Sequence, residues 1–218
     1  AYHQGDGGDG TYTYNVIQGT SMSSPHVAGA GALMKALHPT WSPAQIQSAL
    51  SATADPNVLN DDGINPATPF AMGSGNIQVG AAANAGLVLD ITTADYLAAN
   101  PAEGGDPRDL NIASLGNGSC VGVCSWTRTV QATKDESWTA SLDMPEGMTG
   151  TVTPTEFTLM AGETQTVTVE IDVLGLPADE WAFGFLMLTP AGDTPSTHMP
   201  IAARPTFGDL PASIDIVA

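Results

Sequence analysis

Gly19-Thr20-Ser21-Met22-Ser23-Ser24-Pro25-His26-Val27-Ala28-Gly29 is the stretch that decides how this 218-residue chain is read. Tyr12, Tyr14 and Val16 alternate before it, as a short strand would. From Met22 to Leu37 the residues are mostly small or apolar, which predicts a buried helix. Pro25 is placed in the first turn of that helix, where its missing N–H costs nothing. Ser21 then stands at a helix N-terminus. Unbonded backbone N–H groups and the positive end of the helix dipole face any anion formed there. Attack of a serine hydroxyl on an acyl carbonyl forms such an anion. Taken alone, a serine in this place also fits a plain helix cap.

The Gly-Thr-Ser-Met core followed by Ser-Pro-His-Val-Ala-Gly resembles the active-serine signature of the subtilisin-like serine proteases. The resemblance implies that Ser21 is the nucleophile. Gly19 would let the backbone approach the substrate, Thr20 would shape the turn, and Gly19, Thr20 and Ser21 together would support the oxyanion. Subtilisins carry their triad in the chain order Asp, His, Ser. The histidine base, its carboxylate and an asparagine oxyanion donor are therefore expected upstream of Ala1. His26 lies five residues after Ser21 and reads as a structural histidine; His3, His38 and His198 lack the surroundings of a catalytic base.

The resemblance continues through residues 11–99. Ser42-Pro43-Ala44-Gln45 opens a second helix with a capping box and proline at its first position. Ile46, Ala49 and Leu50 form its apolar face. Asn60-Asp61-Asp62-Gly63 is a turn. A glycine-rich turn at 73–75, an Ala-Ala helix at 81–85, the strand Gly86-Leu87-Val88-Leu89-Asp90 and a helix boxed by Thr92 and Asp95 follow in order. This succession is similar to the end of the catalytic domain in the larger, cucumisin-like subtilases.

Asn100-Pro101-Ala102-Glu103-Gly104-Gly105-Asp106-Pro107 has linker composition. Beyond it the apolar period becomes two. Strands are predicted at Leu110–Ser114, Thr127–Thr133, Trp138–Leu142, Thr149–Thr153, Phe157–Met160, Thr166–Val173, Ala182–Leu188 and His198–Ala202. Many short alternating strands predict a β-sandwich. It is similar to the fibronectin-III-like domain of the larger subtilases.

The chain carries 23 acidic and 5 basic residues, a net charge of −18, which argues against nucleic acid or an anionic membrane as partner. No apolar run reaches the roughly 18 residues of a membrane span. Cys120 and Cys124 cannot close a four-ligand zinc site, and their spacing is one residue wider than a Cys-x-x-Cys redox pair. They read as a small-loop disulfide, which implies an oxidising, extracellular compartment. Asp6 and Asp9 among glycines fit either a calcium-binding loop or a flexible loop. Otherwise no cofactor and no metal site is expected.

The expected architecture is α/β. Residues 1–100 form the C-terminal part of a parallel-sheet subtilisin-like peptidase domain, 101–107 a linker, 108–204 a fibronectin-III-like sandwich, and 205–218 a tail or the start of a further segment. Both ends read as interrupted. The expected activity is a secreted serine endopeptidase working through an acyl-enzyme on Ser21, with protein or peptide substrates and with the upstream part of the same protease as partner. Two other readings remain. One is a protease relative that keeps Ser21 without its base. The other is an adhesion or carbohydrate-binding sandwich, for which Trp126, Trp138 and Trp181 would form an exposed stripe, unless they pack in the core instead.

Overall fold

Two periodicities, 3.6 and then 2, divide the chain, and the computed structural model follows them. It describes residues 2–4, 12–14 and 19–207. Strands β1 (Tyr2–Gln4) and β2 (Tyr12–Tyr14) pair antiparallel. Val16 and the glycine loop with Asp6 and Asp9 lie outside the described residues. Helix α1 (Thr20–Leu37) leads to α2 (Pro43–Ala52). Ser42 caps α2: its Oγ accepts from the Gln45 N–H at 3.1 Å, and the Gln45 side chain accepts from the Ser42 N–H at 2.9 Å. Two one-turn helices, α3 (Pro69–Met72) and α4 (Val79–Ala82), precede strand β3 (Leu87–Val88) and helix α5 (Thr93–Ala98). Thr92 and Asp95 form the second capping box. The donated bonds from Thr92 hold the Asp95 carboxyl below its usual range.

Short 3-10 turns at Pro101–Glu103 and Pro107–Asp109 lead into eight strands. These are β4 (Leu115–Cys120), β5 (Val123–Ala132), β6 (Glu136–Asp143), β7 (Thr149–Thr153), β8 (Glu156–Leu159), β9 (Thr164–Asp172), β10 (Ala182–Pro190) and β11 (Thr197–Pro205). One sheet has the order β4-β11-β10-β6-β8, the other β3-β5-β9-β7. Along β5 the burial alternates strictly, with Cys124, Trp126, Arg128, Val130 and Ala132 inward. Leu115, Ile171, Leu186, Leu188 and Ile201 fill the space between the sheets. Cys120 and Cys124 are disulfide-bonded where the chain passes from β4 in one sheet to β5 in the other.

The pairings of β3 are the main topological addition to the expected plan. Leu87 pairs with Ala132 and Val88 with Gln131, so this strand extends a sandwich sheet. Leu87 and Leu89 join Ala52 of α2 in the sandwich core. Each leucine buried there contributes about 1.5–3 kcal/mol. Ser48 of α2, buried, accepts from the Leu89 N–H at 2.9 Å and lies 3.0 Å from the Leu89 carbonyl. The helical part keeps a core of its own around Met34, Ala49, Ala82 and Val88, and is joined to the sandwich core through Ala52, Leu87 and Leu89. Among the described residues, both pairings made by strands before residue 100 are antiparallel. A parallel neighbour needs a further strand–helix unit across a crossover.

Two local expectations give way, and the choice left open for the tryptophans is decided. Leu110–Ser114 is not a strand, and the first strand of the sandwich is β4. Arg128 points inward, 2% exposed, and its guanidinium donates to the carbonyls of Ile112, Ser114, Arg108 and Thr127 at 2.7–3.1 Å. Those carbonyls go to Arg128 rather than to a strand ladder. Helix α1 is buried only at Ala30 and Met34; Leu33 and Leu37 are 58% and 59% exposed. The three tryptophans form no exposed stripe: Trp126 and Trp138 are 3% and 2% exposed, and Trp181 alone is at the surface, at 40%.

Candidate active site

The site is built on the first turn of α1. Gly19 is the N-cap, with φ 141° and ψ 169°, a conformation that L-residues with a Cβ scarcely adopt. This bend lets the chain enter the helix directly at Thr20. The Gly19 carbonyl is closed by the N–H groups of Met22 at 2.9 Å and Ser23 at 3.2 Å. The N–H groups of Thr20 and Ser21 are left without intrahelical partners, as helix geometry dictates. Ser21 is exposed, and no acidic residue occupies the first turn. The positive end of the dipole is thus unneutralised beside its hydroxyl. At the other end, Lys35 donates to the carbonyls of Pro39 and Trp41 at 2.8 and 2.9 Å, where a cation suits the negative end.

Pro25 lies deeper than the sequence suggests. The helix starts at Thr20, so Pro25 sits inside it, beyond the first turn. Its ring replaces the N–H that would have bonded to the Ser21 carbonyl. The first turn, with Ser21 on it, is held by the Gly19 carbonyl contacts rather than by a continued ladder.

Among the described residues, the histidines hydrogen-bond to backbone carbonyls and not to Ser21. His26 Nδ1 sits 2.6 Å from the Met22 carbonyl one turn back on the same helix. His38 stacks on Trp41 at 3.8 Å and contacts the Ala83 carbonyl. His198 is buried in β11 with Nε2 2.8 Å from the Ser74 carbonyl. The side chain of His3 lies outside the described residues. No group of three or more His, Cys, Asp or Glu is placed to hold a metal among the described residues. No helix there is long and apolar enough to cross a membrane.

Sequence reasoning missed Arg128, Ser48 and His198. Arg128 falls in the strand expected at Thr127–Thr133, and nothing local marks it as buried rather than as an outward cation. Ser48 and His198 face partners 41 and 124 residues away.

Comparison with known proteins agrees with this arrangement. Residues 6–75 match the family model for the subtilase family, and residues 109–203 that for a fibronectin type-III domain. The subtilisin-like protease SBT4.3 of Arabidopsis thaliana is 46% identical over 107 residues, 49% of this chain and 14% of that protein. The subtilisin-like serine-protease S of Lotus japonicus is 34% identical over 202 residues, 79% of this chain and 27% of that protein. SBT2.4 of Arabidopsis thaliana is 31% identical over 81% of this chain and 25% of its own length. The chain belongs to the subtilases, a serine protease family, and joins a cucumisin-like catalytic segment to a fibronectin-III-like domain. It spans about a quarter or less of the length of these relatives.

Proposed function

We propose that this chain contributes the nucleophile and part of the oxyanion site of a secreted serine endopeptidase. The observation that carries the proposal is an exposed Ser21 in the first turn of α1, behind a glycine N-cap, with free N–H groups beside it and no acid in that turn. Ser21 Oγ attacks the scissile carbonyl while a histidine from the upstream part of the protease takes its proton. The Ser21 N–H, with Gly19 and Thr20 shaping the turn, stabilises the tetrahedral oxyanion. The histidine then protonates the leaving amine, and water hydrolyses the acyl-enzyme. This chemistry requires no cofactor. The Cys120–Cys124 disulfide and the net charge of −18 support an extracellular setting.

The exposure of Leu33 and Leu37 on α1 has a direct consequence. The chain 1–218 should hydrolyse no peptide on its own, and adding the upstream part of the protease should cover that face of α1 and restore hydrolysis. Hydrolysis by this chain alone would contradict the shared-site proposal.

The entry bend offers a second check. A Cβ at Gly19 would meet nothing within 4 Å, so the obstacle to substitution is the backbone alone. Gly19→Ala should cost about 1–3 kcal/mol at the turn. In the full-length protease it should lower kcat by about tenfold or more, with a smaller effect on KM.

A further inference from the structure

We propose that His198, on the sandwich, is a positioning residue for the helix that carries Ser21. This rests on the assignment of Ser21 as nucleophile. His198 is 3% exposed, on β11, and its ring is T-shaped to that of Phe185, with centroids 5.7 Å apart and planes at 70°. Its Nε2 faces a carbonyl oxygen, that of Ser74, at 2.8 Å, so Nε2 carries the proton and donates. Ser74 belongs to the turn between α3 and α4. That turn is built tightly: Gly73 and Gly75 have φ of 63° and 121°, and a Cβ on Gly75 would lie 2.2 Å from the Asp55 carbonyl oxygen. Asn76 and Asp55 exchange two backbone hydrogen bonds of 2.8 Å.

The far side of the same turn faces α1. Gly75, Asn76 and Ile77 line a cavity with Ser23, His26 and Val27, the residues directly after the nucleophile. On that wall Ile77 and Val79 pack with Ala30 and Met34 of α1, so a shift of the Ser74 turn is passed to the helix. Pro25 removes one ladder bond there, so this wall matters more than it would for an unbroken helix. For packing alone an apolar side chain would serve at position 198. A buried imidazole donating to one carbonyl fixes direction as well as distance.

The groups facing the imidazole are the carbonyls of Ser74 and Ala52 and the Asp55 carboxylate. Burial pushes the His198 pKa down, against these three, which favour the charged form. Asp55 is held ionised by the bonds it accepts from Asn57. The folded pKa of His198 lies below its unfolded value of about 6.5, so its contribution is complete above that pH and declines as pH falls below it.

The test uses the full-length protease with His198→Leu, which removes the donor, and His198→Gln, which keeps one. His198→Leu should lower kcat by about tenfold with KM within about twofold, and speed amide exchange at Gly75 and Asn76. His198→Gln should recover most of both. Between pH 7.5 and 5, protection of those amides, taken relative to the intrinsic exchange rate at each pH, should fall in the wild type and not in His198→Gln. Wild-type kcat and unchanged exchange in His198→Leu would overturn the proposal. So would loss of activity in His198→Gln equal to that in His198→Leu. Should His198→Leu fail to fold, the pH response of that protection in His198→Gln decides alone: a response like the wild type's overturns the proposal, and its absence supports it. A parallel Ser21→Ala sample separates the two assignments. If that variant stays active, the nucleophile is misassigned, while exchange at the turn still reports on the His198 contact.

Discussion

Ser21→Ala in the full-length protease is expected to remove about 10⁶-fold of kcat, the scale on which subtilisin responds to loss of its serine. The loss should fall on kcat, because the hydroxyl acts in the reaction step and substrate binding uses other surfaces. Steady-state hydrolysis of a peptide amide checks it. The fold should be unchanged, since Ser21 is exposed and forms no side-chain hydrogen bond to another side chain among the described residues. A variant that cleaves like the wild type would refute the assignment.

The second large effect is on stability. Arg128→Met should destabilise the sandwich by about 3–5 kcal/mol, because it strands the carbonyls of Ile112, Ser114 and Arg108. A calorimetric or circular-dichroism melt should show a Tm lower by on the order of 10–20 °C. Burial lowers the Arg128 pKa to about 10, so the guanidinium is still charged at neutral pH and its donors remain available. Arg128→Lys should recover little. A single ammonium cannot reach carbonyls spread from residue 108 to residue 127 with the planar fork of a guanidinium. A Tm within 2 °C of the wild type would show that segment 108–114 is held by other contacts.

How much was legible in the sequence follows from the range of each interaction. Ser42 with Gln45 and Thr92 with Asp95 act across three residues, so both capping boxes could be read directly. The strands from β5 onward carry their own alternation and were placed within a few residues. The first strand was misplaced because Leu110–Ser114 is apolar enough for a ladder while the carbonyls of Ile112 and Ser114 belong to Arg128, 16 and 14 residues away. The strand at Leu87 was recognisable, but its partner, β5, was not. Pairing across 45 residues leaves no local mark. The subtilase motif was legible because its residues, from Gly19 to Gly29, are one continuous stretch. The base and its carboxylate were not, since a triad is assembled in space from distant segments.

The physical economy of the arrangement lies in that separation. A glycine bend and a helix terminus place unbonded N–H groups beside Ser21 locally. The sandwich shares a core with α2 through Leu87 and Leu89, and contacts the turn behind α1 through His198. In the proposed mechanism, proton transfer is the part supplied from elsewhere in the polypeptide.

The most direct measurement is covalent labelling of the full-length protein with a fluorophosphonate, followed by mass mapping of the modified residue. A single adduct on Ser21, absent when the upstream histidine is replaced, is the predicted result. No adduct on Ser21, or one that forms equally well without that histidine, would contradict the account.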